Sequence, residues 1–247
     1  MNSNEVALVT GGNKGIGHEI VRQLATRGFT VYLGARNPAL GLAAAEELAG
    51  SDVRFVQLDV TDVASVQAAV EHIEADSGRL DVLINNAGIV SEWGTKVPDI
   101  TAAQVRTAYD VNVFGVITTT QAGIPLLRQS PNARIVNMSS GLGSVNLLSD
   151  LDGRLNTQGL LAYSSSKAAL NALTLLYAGA LRPDGIKVNA ATPGLVPTDL
   201  NTEATVDRGQ RTPADGAVVP VLLATIPADG PTGVFRGPSA LDEVALW

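Results

Sequence analysis

The sequence contains no cysteine and only two histidines, His18 and His72. Without cysteine there can be no disulfide scaffold, thiolate catalysis, iron–sulfur cluster or cysteine-type zinc site. Two histidines far apart in the chain do not suggest a His-rich metal centre. Aromatic residues are scarce, with four Phe, four Tyr and two Trp in 247 residues. Charged residues make up 17% against 45% hydrophobic, a balance that excludes disorder as a global description. Positive charge is the minority: Lys+Arg is 17, Asp+Glu is 24 and the net charge is −7. Nucleic acid and anionic lipid are therefore not expected partners. No apolar run reaches the roughly 18 residues of a transmembrane helix. Met1–Glu5 is polar and no basic-then-apolar leader follows, so no signal peptide is expected. A soluble, cytoplasmic protein is the expectation, and the lack of cysteine fits a reducing compartment. What the sequence does have in quantity is glycine, 25 residues.

The length suits one domain, 1–247, able to bury a hydrophobic core unaided. Short apolar runs rich in β-branched residues recur at Val6–Thr10, Thr30–Leu33, Arg54–Leu58, Val82–Asn85, Arg134–Met138, Lys187–Ala191 and Gly233–Gly237. Near-continuous apolar strands are what a parallel sheet covered on both faces requires. Helical patterns lie between them: Ile16, Ile20 and Leu24 at four-residue spacing, then Ala64–Ile73, Ala102–Leu127 and Ala162–Leu181. The alternation predicts an α/β fold, a Rossmann-type doubly wound parallel sheet of about seven strands with helices on both faces. Two stretches fit neither pattern, a lengthened loop 141–161 and a substrate lid 196–212. Long irregular segments in compact domains are usually functional.

The first strand runs into Thr10-Gly11-Gly12-Asn13-Lys14-Gly15-Ile16-Gly17 at the start of the first helix. Glycines allow a tight turn and close approach of backbone to ligand. Free N–H groups at a helix start favour a pyrophosphate. The spacing is G-x-x-x-G-x-G, which departs from the standard dinucleotide fingerprint. In NAD-binding folds an acid about 20 residues further on holds the ribose 2′-hydroxyl. Here no Asp or Glu occurs between Glu19 and Glu46, and Arg36 ends the second strand. A guanidinium there suits a 2′-phosphate, and Lys14 offers a second positive charge, so the expected cofactor is NADP(H).

Tyr163 and Lys167 stand at i and i+4, on one face of a helix. A nearby ammonium lowers a phenol's pKa and makes it a usable acid–base group. Such pairs also occur as plain solvated helix faces. Ser140, at the end of the fifth strand, belongs to the crevice where open α/β sheets bind ligands. No G-x-S-x-G surrounds it, which disfavours serine hydrolase chemistry.

These motifs, with Leu58-Asp59-Val60, Asn85-Asn86-Ala87-Gly88, Asn112 and Pro193-Gly194, resemble the short-chain dehydrogenase/reductase family, and within it the NADPH-dependent carbonyl reductase branch. The Gly11–Gly17 turn, Ala35-Arg36, Trp247 and the lengthened Ser140-to-Tyr163 gap carry the closer likeness. The resemblance implies that Tyr163 donates the proton, Ser140 orients the carbonyl oxygen, and Lys167 binds the nicotinamide ribose and lowers the tyrosine pKa. Asn112 would hold a relay water. Asp59 and Val60 would hold the adenine. Asn86, Ala87 and Gly88 would pass beneath the cofactor, and Pro193, Gly194, Val196 and Thr198 would secure its nicotinamide end.

The expected activity is NADPH-dependent reduction of ketones or aldehydes to alcohols. The alternatives are an alcohol dehydrogenase working oxidatively and a non-catalytic NADP(H)-sensing regulator. The expected partner is a small-molecule carbonyl or alcohol, with neither nucleic acid nor membrane. The resemblance favours a monomer, and a homodimer stays open because the insertion is shorter than in that branch. The leucines of 141–161 (Leu142, Leu147, Leu148, Leu151, Leu155, Leu160 and Leu161) either line an apolar substrate mouth or form an added outer helix. Trp93 is a further pocket candidate.

Overall fold

The computed structural model describes residues 5–153, 159–204 and 208–247. Seven parallel strands form one sheet: β1 (Val6–Thr10), β2 (Thr30–Ala35), β3 (Val53–Gln57), β4 (Val82–Asn85), β5 (Arg134–Met138), β6 (Lys187–Ala191) and β7 (Phe235–Arg236). Their order is β3-β2-β1-β4-β5-β6-β7. The chain winds outward from β1 through β2 to β3, then returns to place β4 on the other side of β1. That reversal opens a crevice at the carboxyl ends of β1 and β4, where such sheets bind ligands.

Strand alternation sorts the core into two layers. Ala7 and Val9 of β1 face one cluster with Ile20, Val21 and Leu24. These come from α1 (Gly15–Thr26), which packs there with α8 (Pro213–Ala224). Val6 and Leu8 face the other, with Val70 and Ile73 of α3 (Val63–Ser77) and Leu126 and Leu127 of α5 (Gly115–Leu127). The strands are apolar on both faces because both are covered.

Most helix starts carry local caps. Asn37 accepts from Leu40 N at 3.2 Å at the head of α2 (Pro38–Glu46), and Asp62 accepts from Ala64 N at 3.0 Å before α3. Thr101 with Gln104 and Thr212 with Asp215 make reciprocal capping boxes. Among the described residues α1, α5 and α7 (Leu161–Ala180) lack a local side-chain cap. Of these, α1 and α7 begin at the crevice.

Two expectations need correction. The single helix expected over Ala102–Leu127 is interrupted. It divides into α4 (Ala102–Tyr109), a π-helical turn at Asp110–Phe114 and α5. The wider turn carries Asn112 inward, where it is fully buried, and such bulges recur at functional sites. The last strand is two residues long, not five. Gly233 (φ 72°) and Gly237 (φ 121°) leave extended geometry on either side of it.

Segment 141–161 contains a 3₁₀ turn at Gly141–Gly143 and a short helix α6 (Val145–Leu148). The chain's end closes back on this region. Trp247 O accepts from Ser144 Oγ at 3.0 Å and Asn146 N at 3.1 Å, and its indole lies 5.3 Å from the Phe235 ring.

Candidate active site

Two cavities share the crevice. One is a cleft of about 390 Å³ running from Gly11, Lys14 and Gly15 past Arg36 and Asp59 to Tyr163 and Lys167. The other, about 580 Å³, opens beyond Ser140 and Tyr163 toward Trp93, Val97 and Leu200. Tyr163 borders both, so its phenol stands at their junction.

The cleft begins at the uncapped start of α1. Lys14 there makes no side-chain bond to the helix's first N–H groups, and no acid occupies the first turn. Gly11 (φ 63°) and Gly15 (φ 55°) take left-handed backbone that other residues rarely adopt. Gly17 is fixed by crowding: a Cβ would lie 2.2 Å from Gly11 O and 2.4 Å from Asn86 Nδ2. Asn86 ties the turn to β4, donating through Nδ2 to Thr10 O at 3.0 Å and Gly11 O at 3.1 Å. The result is a rigid loop with free N–H groups and a positive dipole end, fitted to a phosphate.

The placement of the other expected cofactor contacts is mixed. Ile16, Arg36, Asp59, Val60, Ala87, Gly88, Pro193 and Thr198 line the cleft. Arg36 is exposed at the end of β2. Asp59 Oδ1 is turned back on Thr61, accepting from its N at 3.0 Å and its Oγ1 at 2.7 Å. Lys14 also lines the cleft, but its ammonium pairs with Asp199 at 2.9 Å. Both partners are exposed, so the pair is weak and an arriving phosphate competes readily. Three expected contacts lie elsewhere. Asn13 does not line the cleft, and Gly194 and Val196 border the second cavity instead. The chain turns at Gly194 (φ 73°) and carries Leu195 and Val196 away from the cleft floor.

Helix α7 presents an unusually polar buried face. Ser166 Oγ donates to Tyr163 O at 2.7 Å, and Lys167 Nζ donates to Met138 O at 2.7 Å. Asn171 accepts from Ser139 Oγ at 2.6 Å and donates to Gly143 O at 3.2 Å. Asn112 Nδ2 donates to Ile89 O at 2.9 Å and Ser166 Oγ at 3.0 Å, while its Oδ1 accepts from Ile89 N at 2.9 Å. Asn112 thus clamps the segment after β4 to α7. Buried polar groups satisfied in this way fix one arrangement of the elements.

The electrostatics depart from expectation. Burial pushes the Tyr163 phenol up to about 12; a hydrogen bond from Ser140 opposes the rise and the Glu92 charge adds to it. Burial also lowers the Lys167 ammonium to about 8. Lys167 Nζ sits 5.6 Å from the Tyr163 ring centroid, yet its charge does not set the direction of the shift. The expected lowering by Lys167 does not govern this group: burial of the phenolate sets the direction, and the Ser140 hydrogen bond is what opposes it.

Of the 141–161 leucines, Leu142 and Leu160 border the second cavity. Leu147, Leu151 and Leu161 are exposed, and Leu155 lies outside the described residues. Of segment 196–212, expected as a lid, Val196, Thr198, Leu200, Asn201, Ala204 and Arg208 border the cavity, and 205–207 lie outside the described residues. Trp93 borders both cavities and donates from Nε1 to Leu200 O at 3.0 Å.

Two residues at the site carry no motif signal. Gly143 packs on Lys167, where a Cβ would meet its backbone carbon at 2.6 Å. Glu92 is 1% exposed and accepts from Tyr163 N at 2.7 Å. The signal for Glu92 was a lone acid beside the apolar Ile89-Val90 and Trp93.

Among the described residues no helix is long and apolar enough to cross a membrane.

The short chain dehydrogenase family matches this chain over residues 5–209. Short-chain dehydrogenase/reductase 1 of Saponaria officinalis is 35% identical, over 93% of this chain and 92% of the relative. Carbonyl reductase [NADPH] 1 of Bos taurus is 34% identical, over 94% and 96%. Among solved structures, salutaridine reductase from Papaver somniferum superposes with a TM-score of 0.80 at 32% identity, covering 94% of this chain and 99% of the other.

Proposed function

We propose, since the chain belongs to the short-chain dehydrogenase/reductase family, that it reduces ketone or aldehyde carbonyls to alcohols with NADPH, Tyr163 acting as general acid. The observation that carries this reading is Tyr163 at the junction of two cavities, with Lys167 on the cleft side and Ser140 on the other.

The cleft's residues fit NADP(H). The free N–H groups of the Gly11–Gly17 turn would take the pyrophosphate. Arg36, exposed where NAD enzymes carry an acid, would take the 2′-phosphate, assisted by Lys14. Asp59 and Val60 would hold the adenine, and Lys167 the nicotinamide ribose. Bound there, NADPH supplies the hydride. The chain's own residues handle the proton. Ser140 orients the carbonyl oxygen toward the phenol. As negative charge develops on that oxygen, the Tyr163 hydroxyl gives up its proton to it, which completes the alcohol. Asn112 keeps the segment after β4 in register with α7.

A phenol raised to about 12 is fully protonated at neutral pH. That is the form reduction requires; the oxidative direction needs the phenolate as base. Tyr163 is thus held in the form that donates a proton to a carbonyl. Turnover of any carbonyl would exclude the regulator. The second cavity, with Trp93, Val97, Leu142, Leu160 and Leu200 on its walls, suits a bulky apolar carbonyl compound. A cytoplasmic monomer with small-molecule partners completes the proposal; size-exclusion chromatography distinguishes monomer from homodimer.

The test is a carbonyl panel assayed with NADPH and with NADH. Preference for NADH overturns the cofactor assignment. Arg36→Ala is expected to raise the KM for NADPH about 10- to 100-fold, the worth of one charge-assisted contact, while the KM for NADH moves less than about threefold.

A further inference from the structure

Glu92 is a buried acid that none of the chemistry above uses. It lies past β4, in the segment that continues from Asn86-Ala87-Gly88 and ends at Trp93. Its Oε1 accepts from Tyr163 N at 2.7 Å. Its Oε2 accepts from Ser91 N at 3.0 Å and lies 3.0 Å from Ser91 Oγ, which in turn donates to Gln104 O in α4 at 2.8 Å.

The bond to Tyr163 N has a structural reason. The first N–H groups of any α-helix have no partner within the helix and need an outside acceptor. Leu160 precedes α7 and makes no side-chain cap, because a leucine has nothing to offer. Glu92 supplies the acceptor from 71 residues away in sequence. A carboxylate is a strong acceptor and is further favoured at the positive end of a helix dipole. The N–H it holds belongs to the tyrosine at the centre of the site.

We propose that Glu92 is a positioning residue: its buried carboxylate caps the first turn of α7 and fixes Tyr163 against the segment that carries the cleft floor. This rests on the reading of Tyr163 as the proton donor. The linkage is double, because Asn112 joins the same segment to α7 one turn further along, through Ile89 and Ser166. Glu92 sets the height of the tyrosine and Asn112 the height of the following turn. The same carboxylate also acts through its charge, opposing the phenolate and so keeping the proton on Tyr163.

The other ionisable groups about the phenol are few. Lys167 lies on its own helix. Lys96 and Arg208 border the second cavity, and Arg208 is held on Thr198 O at 2.6 Å and Asn201 Oδ1 at 3.1 Å. Lys14, Arg36, Asp59, Asp199 and Glu203 border the cleft. Of the acids, Glu92 alone bonds the tyrosine's own backbone.

The experiment compares Glu92→Ala and Glu92→Gln with the unaltered enzyme, saturated with NADPH, on a carbonyl it turns over. Glu92→Ala removes the acceptor. The kcat is expected to fall about 10- to 100-fold, the effect of a misplaced catalytic group, with the KM for the carbonyl changed less than about threefold. Glu92→Gln retains a carbonyl oxygen for Tyr163 N and should recover most of kcat. It removes the charge that opposes the phenolate, so the phenol ionises more easily and the pH at which reduction falls off should move down.

Hydrogen exchange at the Tyr163 amide is read in parallel and needs no substrate. It should speed up at least about tenfold in Glu92→Ala and little in Glu92→Gln. Unchanged kcat and exchange in Glu92→Ala overturn the proposal. So does a change in KM alone, which would make Glu92 a substrate contact, or a kcat loss that glutamine does not recover. If Glu92→Ala does not fold, the pH profile and exchange of Glu92→Gln decide. An enzyme inactive on every carbonyl refutes the reading of the function; the exchange arm then judges the cap by itself.

Discussion

Tyr163→Phe is expected to lower kcat for NADPH-linked carbonyl reduction by about 10²- to 10⁴-fold, the usual worth of a positioned general acid. The phenylalanine keeps the ring in its buried place, 8% exposed in the parent residue, and removes one oxygen. Glu92 bonds the backbone at residue 163, not the side chain, so the turn of α7 stays capped. NADPH binding should survive, because the glycine-rich turn, Arg36 and Lys167 are untouched. Stopped assays for kcat and a fluorescence titration for NADPH separate the two effects. Retention of more than a few per cent of the activity would remove Tyr163 from the proton step. The unaltered enzyme should keep Tyr163 protonated through neutral pH, so the loss of reduction that phenol ionisation causes comes only toward about 12, after any change from Lys167 losing its proton at about 8. The reverse reaction, which needs the phenolate, should rise with pH over the same range. A reduction rate that rises from neutral to alkaline pH would contradict that assignment of protonation.

Gly143→Ala should be nearly as severe, although residue 143 touches neither cavity. The new methyl would stand 2.6 Å from the backbone carbon and Cβ of Lys167 and 2.8 Å from Ala168 N. Two of these three atoms are backbone, so the strain cannot be relieved by swinging a flexible side-chain tip. Either the 3₁₀ turn after β5 or the middle of α7 must move. The first shifts Ser140 and the second shifts Lys167, whose Nζ is fixed on Met138 O at 2.7 Å. Overpacking of this kind costs about 1–3 kcal/mol of stability. Displacement of a catalytic group by about 1 Å costs on the order of 100-fold in rate. We therefore expect kcat/KM to fall about 100-fold and Tm to fall by several degrees. Gly141→Ala is the control, because a methyl there meets nothing within 4 Å; it should leave both quantities nearly unchanged. Equal losses in the two variants would mean that the turn itself is sensitive, not its contact with Lys167.

The architecture was written in the chain because its causes are local or periodic. Apolar runs at seven places and helical spacing between them leave a parallel sheet covered on both faces as the economical arrangement, and Ala7, Val9, Val6 and Leu8 divide between the two covering layers by simple alternation. The glycine turn, Arg36 and the Tyr163/Lys167 pair were readable for a similar reason, since each is a short motif whose chemistry depends on neighbours in sequence. Boundaries were less legible. Asn112 turns inward only because a π-helical turn breaks the helix around it, and its partners there, Ile89 and Ser166, lie far along the chain.

Tertiary structure alone decided the rest. It placed Gly194 and Val196 on the second cavity and engaged Lys14 with Asp199. It also reversed the direction of the Tyr163 shift, because burial depends on everything packed around a group and spacing on a helix carries none of that. Glu92 and Gly143 became visible for the same reason. One supplies a cap to a helix that has none of its own, and the other leaves room for a lysine; a need of either kind exists only once distant segments meet. The absence of cysteine ruled out thiol chemistry from the start, and two distant histidines argued against a His-rich metal centre. Which groups replace them, and in what protonation state, is set by packing.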